Sequence, residues 1–344
     1  DRVSNITGIT DQRTATDLEA IGSELGLSAA AALRFSNTQD FVYDSLYRLT
    51  KVENPSVYGT LQYRYDRIGN MVHKDASTLL SADPLMDLGA ITSGGTAGTW
   101  NRVGRNAGDQ PGPHAVTSTS DGPTGAMSFA YDDNGNMTRN RDMILSWDYK
   151  NRMTGMRKDG VLSSYLYDYA DIRKRKVSTD TTGGRDRETM YVDKFSEVRN
   201  NRLQKYVYAG TSRVARSAQV LVGQEQSFAA ETYFLHDHLG STALSLDAQG
   251  RVTEQMVNYP FGQQRLMSRA DVGVIPADYT FTGKETDAES GLQYFEARYY
   301  DGVLGKFLSV DPLYAEEPMN NSQSINLYSY LIGRPLIFTD PSGS

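Results

Sequence analysis

Apolar and polar residues alternate along much of the chain with a period of two, the spacing of a half-buried β-strand: Tyr63 and Tyr65 fall on one side of such a strand, as do Tyr165 and Tyr167. The alternating stretches end in a recurring unit. It consists of an aromatic, an Asp, a short turn often holding Gly-Asn or Asn-Arg, and then Leu or Met with a polar residue. Copies stand at Tyr43-Asp44 with Arg48-Leu49-Thr50, Tyr65-Asp66 with Gly69-Asn70-Met71, and Tyr131-Asp132 with Gly135-Asn136-Met137. Two more are Trp147-Asp148 with Asn151-Arg152-Met153 and, more loosely, Tyr167-Asp168 with Arg173. Outside one long interruption, consecutive copies lie 16 to 22 residues apart, enough for two short strands and two turns. Asp and Asn close turns through side-chain to backbone hydrogen bonds and tolerate left-handed backbone, so each unit is predicted to be a hairpin. One hairpin cannot bury its aromatic face. The units must therefore join into a continuous sheet, elongated or spiral.

Two stretches break the rhythm. Residues 76 to 125 are rich in Gly, Thr, Ser and Pro, including Gly94-Gly95 and Asp109-Gln110-Pro111-Gly112-Pro113, and are predicted to be a long loop excursion. Residues 14 to 34, with Thr16-Asp17 as cap and a run of alanines from Ala29, form the best helix candidate. The resulting division is a leading segment 1–40, a β-hairpin array 41–230 and a C-terminal segment 231–344.

Composition supports a mainly β fold, because 22 Tyr and 31 Gly stand beside 11 Pro, 11 Phe and 2 Trp. A net charge of −7, with basic residues spread evenly, leaves no electrostatic footprint for nucleic acid. No apolar run approaches the roughly 20 residues of a membrane span, and Asp1-Arg2-Val3-Ser4 has no signal-peptide pattern. The segment reads as soluble, with any export signal upstream. Without cysteine there are no disulfides and no thiolate metal sites.

Toward the C-terminus the motifs become specific. Tyr233-Phe234-Leu235-His236-Asp237-His238-Leu239-Gly240-Ser241-Thr242 is followed by Asn258-Tyr259-Pro260-Phe261-Gly262. After these come Phe281-Thr282-Gly283-Lys284-Glu285-Thr286-Asp287, Gly291-Leu292-Gln293-Tyr294-Phe295-Glu296-Ala297-Arg298-Tyr299-Tyr300-Asp301, and Leu304-Gly305-Lys306-Phe307-Leu308-Ser309-Val310-Asp311-Pro312. Asn326-Leu327-Tyr328-Ser329-Tyr330 and Asp340-Pro341-Ser342-Gly343 complete the series. In this order they resemble the Rhs repeat-associated core segment, and the upstream units resemble YD repeats. The resemblance covers most of the chain from about residue 40. It implies a large shell of spiralling strands that encloses a C-terminal polypeptide, commonly a toxin, with the core segment as a plug. Bacterial Rhs effectors, contact-dependent toxins, Tc toxin C components and eukaryotic teneurins are built this way. Teneurin shells act in adhesion, so the fold does not fix the function.

In the toxin-carrying branches the core segment resembles an aspartyl autoprotease. The matching positions are Asp311 and Asp340, with Arg298 or Arg334 available to position a carboxylate or an oxyanion, and the bond to be cut follows Gly343-Ser344, after Ser344. Two carboxyls held close keep one proton between them and together polarise a carbonyl and activate water. The family often has Arg where Lys306 stands, Gly where Tyr314 stands and Leu where Ser344 stands. The 29-residue gap between the aspartates is longer than usual, with Glu316-Glu317-Pro318-Met319 inside it. The bland alternative is that Asp-Pro starts turns, as at Asp83-Pro84.

Other chemistry finds little support. His236 and His238 would share a strand face, but no carboxylates join them at ligand spacing, so the triplet around Asp237 is expected to be a hydrogen-bonded turn. Gly94-Gly95 and Gly183-Gly184 lack a phosphate-loop lysine, and no Gly-x-Ser-x-Gly occurs. No cofactor and no metal are expected. The implied partners are a C-terminal cargo, further repeats of the same shell or a second copy, in a secreted or bacterial cell-surface setting. The rival to a toxin carrier is an adhesion or matrix scaffold with inert aspartates.

Overall fold

The computed structural model describes residues 5–77, 84–94, 112–221, 230–270, 274–312 and 325–344. Twenty-one strands, from Gly8–Ile9 to Gln264–Arg269, form one sheet in which each strand pairs antiparallel with the next in the chain. This all-β meander is the hairpin array the periodicity predicts. It runs through residue 231 without a break, and a second sheet of four strands begins at Glu285.

Each turn is closed by its Asp. Asp44 Oδ1 accepts the Leu46 and Arg48 amide N–H groups at 2.9 Å each. Asp66, Asp132, Asp148 and Asp168 do the same for the residues two and four places on. The residue three places on is left-handed in every case: Tyr47, Gly69, Gly135, Asn151 and Asp171. The aromatic before the Asp stitches its hairpin to the preceding one. Tyr65 donates to the Leu49 carbonyl at 2.9 Å, Trp147 to Met137 at 2.7 Å and Tyr167 to Met153 at 2.7 Å. The position therefore suits an aromatic with a polar tip.

The segment 14–34 holds two helices, Ala15–Glu24 and Ala29–Leu33, separated by left-handed Gly26. The cap is Thr14, in a capping box with Asp17, and not the Thr16-Asp17 pair expected from sequence. Gly22 lets the helices touch, since a Cβ there would lie 2.4 Å from Ala32 Cβ. This helical pair meets the far end of the meander. Glu24 accepts the Val252 N–H, Arg265 donates to the carbonyls of Arg34 and Ser36 at 2.9 and 3.0 Å, and the Tyr58 and Tyr259 rings pack at 5.4 Å. The last strands thus come back beside the first, and the sheet curls around an interior.

The stretch 76–125 is not a loop excursion throughout. Strands Gly89–Ser93 and Val116–Asp121 pair with each other and continue the meander on both sides, after a short 3₁₀ turn at Pro84–Met86. Their inward residues are Ile91, Val116 and Thr119, flanked by small polar ones that dilute the strand signal. Residues 78–83 and 95–111, including Gly95 and Asp83, lie outside the described residues.

The interior is filled by the chain's own C-terminal part. Strands Glu285–Asp287, Leu292–Phe295, Arg298–Asp301 and Lys306–Phe307 form the second sheet. Its aromatics cluster with Tyr330, the Tyr300 and Tyr330 rings being 4.6 Å apart, and merge with the inward faces of the wall strands in one core. Tyr328 bonds Gly135 O at 2.7 Å, Asn326 bonds Gly69 O at 2.9 Å, and Lys74 bonds Val303 O at 2.8 Å.

Candidate functional site

Two constellations join the core segment to its surroundings. The first is a buried charge cluster that the sequence gives no local hint of. On the wall strand Arg173–Asp180, Arg173 is fully buried; its guanidinium meets Glu285 at 2.6 Å and Asp287 at 2.9 Å and donates to the Tyr299 and Tyr191 hydroxyls. Lys176 meets Asp287 at 2.7 Å and Glu289 at 3.4 Å, and Arg199 meets Glu285 at 2.8 Å. Burial pushes the Glu285 carboxyl up, but Arg199, Arg173 and Lys176 outweigh it and hold the group well below the ordinary range. The cluster is a clamp in which ionised partners satisfy one another away from water.

The second constellation contains the aspartates. Arg298, on the strand Arg298–Asp301, is buried beneath the Phe307 ring at 3.7 Å. One of its terminal nitrogens faces both candidates, Asp311 at 2.8 Å and Asp340 at 3.7 Å. Its Nε donates to the Gly343 carbonyl at 2.5 Å and its other terminal nitrogen to the Leu327 carbonyl at 3.0 Å. Burial lowers its pKa to about 10, against the pull of Asp311 and Asp340. The other oxygen of Asp340 closes the terminal turn, accepting the N–H groups of Ser342, Gly343 and Ser344 at 3.2, 2.7 and 3.3 Å. Gly343 is left-handed at φ +75°, and a Cβ there would lie 2.0 Å from the Phe295 carbonyl oxygen, so no other residue fits.

The segment before the expected cleavage point is held carbonyl by carbonyl. Lys284 donates to Pro341 O at 2.6 Å, Ala297 N–H to Ser342 O at 3.0 Å and Arg298 to Gly343 O. Sequence reasoning missed Lys284 and Ala297, although both lie inside quoted motifs. Arg334 stands elsewhere. It bonds Asn5 at 3.5 Å and lies over the Tyr47 and Phe338 rings, because residues 331–337 lead the chain past the first turn of the wall before Asp340 returns. Among the described residues only Arg298, of the two arginines, meets the aspartates.

Lys306 is buried, with its ammonium donating to the His114 carbonyl at 3.2 Å and its pKa lowered to about 8 by burial. Tyr314 and residues 316–319 lie outside the described residues. The His236-Asp237-His238 triplet forms the same Asp turn as the repeats, Asp237 accepting Leu239 and Ser241 N–H, and His238 meets the Leu336 carbonyl at 3.1 Å. Among the described residues no group of three or more His, Cys, Asp or Glu is arranged to hold a metal ion. Gly183 and Gly184 lie in the link between strands Arg173–Asp180 and Arg187–Asp193. Among the described residues no helix is long and apolar enough to cross a membrane.

A meander of aromatic-Asp hairpins curled around an aromatic core segment is the arrangement that the YD-repeat resemblance implies, and the comparisons bear that resemblance out. It is 27% identical over 223 residues to the tRNA3(Ser)-specific nuclease WapA of Bacillus spizizenii, covering 63% of this chain and 9% of that protein. It is 28% identical over 218 residues to Toxin subunit YenC1 of Yersinia entomophaga, covering 58% of this chain and 22% of the relative. Toxin protein Tse5 of Pseudomonas aeruginosa is 32% identical over 111 residues, covering 32% of this chain and 8% of that one. The chain thus spans about a tenth to about a fifth of the relatives' lengths. In fold it matches the TcdB2-TccC3-Cdc42 crystal structure with a TM-score of 0.57 at 16% identity, over 89% of this chain and 17% of that one. No family model matches the chain.

Proposed function

We propose that this chain is the C-terminal part of a toxin-encapsulating shell of a secreted Rhs protein, and that Asp311 and Asp340 cut the chain after Ser344 to free a C-terminal cargo. The observation that carries the reading is Arg298, whose guanidinium gathers both aspartates and the Gly343 carbonyl. In the reaction one carboxylate takes a proton from water, whose oxygen attacks the Ser344 carbonyl carbon. The other carboxyl, protonated, donates toward that carbonyl oxygen. Collapse breaks the C–N bond, and the leaving amine receives a proton from the pair. Arg298 is a positioning residue, fixing the chain one residue before the bond. Lys284 and Ala297 hold the two carbonyls upstream and supply the orientation that makes attack effectively intramolecular.

The test is the intact mass of a chain carrying further residues after Ser344, for wild type, Asp311→Asn and Asp340→Asn. At residue 340 Asn keeps the Oδ1 acceptor that closes the terminal turn, and at residue 311 it keeps an oxygen acceptor for Arg298. Cleavage after Ser344 in wild type alone is the expected result. An uncut wild-type chain removes the protease assignment and favours a surface scaffold with inert aspartates. That second reading is supported by 32% identity over 111 residues to Salivary gland surface protein 1 of Aedes aegypti, 3% of whose length is covered.

A further inference from the structure

The register of the hairpins defines one inward position after each turn. Leu49 pairs with Tyr43, Met71 with Tyr65, Met137 with Tyr131 and Met153 with Trp147, and all four are buried apolar residues. In two later hairpins the position is arginine: Arg173 opposite Tyr167 and Arg213 opposite Tyr208. Arg173 is answered by Glu285 and Asp287. Arg213 is answered by no carboxylate within ion-pair distance among the described residues. Its guanidinium lies 3.3 Å over the Tyr279 ring, with Tyr206 at 4.7 Å and Tyr208 at 5.3 Å, and its Nε is buried without a hydrogen-bond partner.

Arg213 borders a cavity of about 500 Å³ that also reaches Arg216, His236, Lys284, Asp278 and Asp340. Each of the three acids there has its own partners: Asp278 lies 3.3 Å from Arg199, Asp340 takes three backbone N–H groups and faces Arg298, and Glu296 pairs with Lys284 at 2.5 Å. Arg216 is held by the Ile275 and Pro276 carbonyls at 2.6 Å each, which bind the guanidinium without neutralising it. Of the cations on the wall, Arg213 and Arg216 thus have no carboxylate within ion-pair distance among the described residues, and a half-buried or buried cation without one is costly.

We propose that this cavity is a binding site for an oxyanion, a carboxylate or phosphate group, with Arg213 as its principal ligand. A guanidinium held flat on aromatic rings presents its remaining N–H fork to such a group. The cavity shares Lys284 and Asp340 with the proposed cleavage site, but anion binding at Arg213 is read without any cleavage.

The experiment is calorimetric titration with inorganic phosphate at constant ionic strength. Wild type is expected to bind saturably, and Arg213→Met, which installs the residue found at three equivalent positions, to bind at least about ten-fold more weakly. Arg213→Lys keeps the charge without the fork and falls between, providing a second reading if the methionine variant folds poorly. Arg202→Met, at an exposed arginine, leaves binding unchanged. Absence of saturable binding by wild type, or equal affinity in both Arg213 variants, overturns the site. In a chain extended past Ser344, loss of phosphate binding identifies the occupant as an acidic group of the following segment. Retained binding identifies a free anion, and either result upholds the site.

Discussion

Between Phe41 and Tyr165 the inward face of the wall is mostly apolar, with Leu49, Val52, Leu61, Met71, Met137 and Met153 packed on the core segment and Lys74 and Asn140 as buried polar exceptions. Between Arg173 and Arg216 the same inward positions carry Arg173, Lys176, Thr189, Glu197, Arg199 and Gln204. The antiparallel pairing does not change between these regions, although the described turns between Arg173 and Arg216 lack the Asp that accepts the N–H groups two and four places on. What changes is what the core segment presents: Phe295, Tyr300 and Phe307 to the first, Glu285, Asp287 and Glu289 to the second. The repeat thus specifies the hairpin, while the inward side chain answers its contents.

The comparison can be broken most severely at Arg173. Replacing it by Met leaves Glu285 and Asp287 short of a buried partner and is expected to lower the unfolding free energy by about 3–5 kcal/mol, measured by denaturant titration. In the apolar half, Met137→Ala leaves a cavity and is expected to cost about 2–4 kcal/mol by the same measurement. Asp66→Ala removes the acceptor of two turn amides and of the Asn70 side chain, a loss of roughly 1–2 kcal/mol, with a similar loss of two turn amides for Asp168→Ala at the border of the charged region. Tyr169 points into solvent at 95% exposure, and Tyr169→Ser should change stability by no more than about 0.5 kcal/mol.

The two halves also differ in their response to acid. His114 packs beside the apolar half, with Nδ1 2.9 Å from Asn70 Oδ1, and its pKa is lowered to about 4 by burial and then by Lys306, with Asp66 opposing. The unfolded imidazole takes a proton below about 6.5 that the folded one refuses, so stability falls as pH drops from there toward 4. His114→Asn should flatten that slope in denaturation midpoints. Glu285 and Glu289, held below their ordinary values, contribute stability that is lost only as pH falls below the unfolded carboxylate range.

The hairpins were legible because every bond that makes them is local: Asp44 reaches no further than Arg48, so the motif carries its whole turn. The same turn at Asp247 escaped notice because Leu246 replaces the aromatic. The strands at Gly89–Ser93 and Val116–Asp121 were hidden by small polar residues. The pairing in the charge clamp had no signature, since Arg173 and Asp287 are 114 residues apart, although Arg173 stands in a repeat copy and Glu285 and Asp287 in a family motif. At the aspartate site the family motif pointed to Asp311, Asp340 and Arg298, which the structure brings together, whereas Arg334 follows a path that only the tertiary fold decides.

The most direct test of a wall matched to its contents is a double-mutant cycle of Arg173→Met with Asp287→Asn, followed by denaturant unfolding. Strong non-additivity, a coupling of about 1–3 kcal/mol, is the expected result, the second substitution costing much less once the first is present. Additivity within about 0.5 kcal/mol would contradict it and mean that the core segment is seated by its aromatics alone.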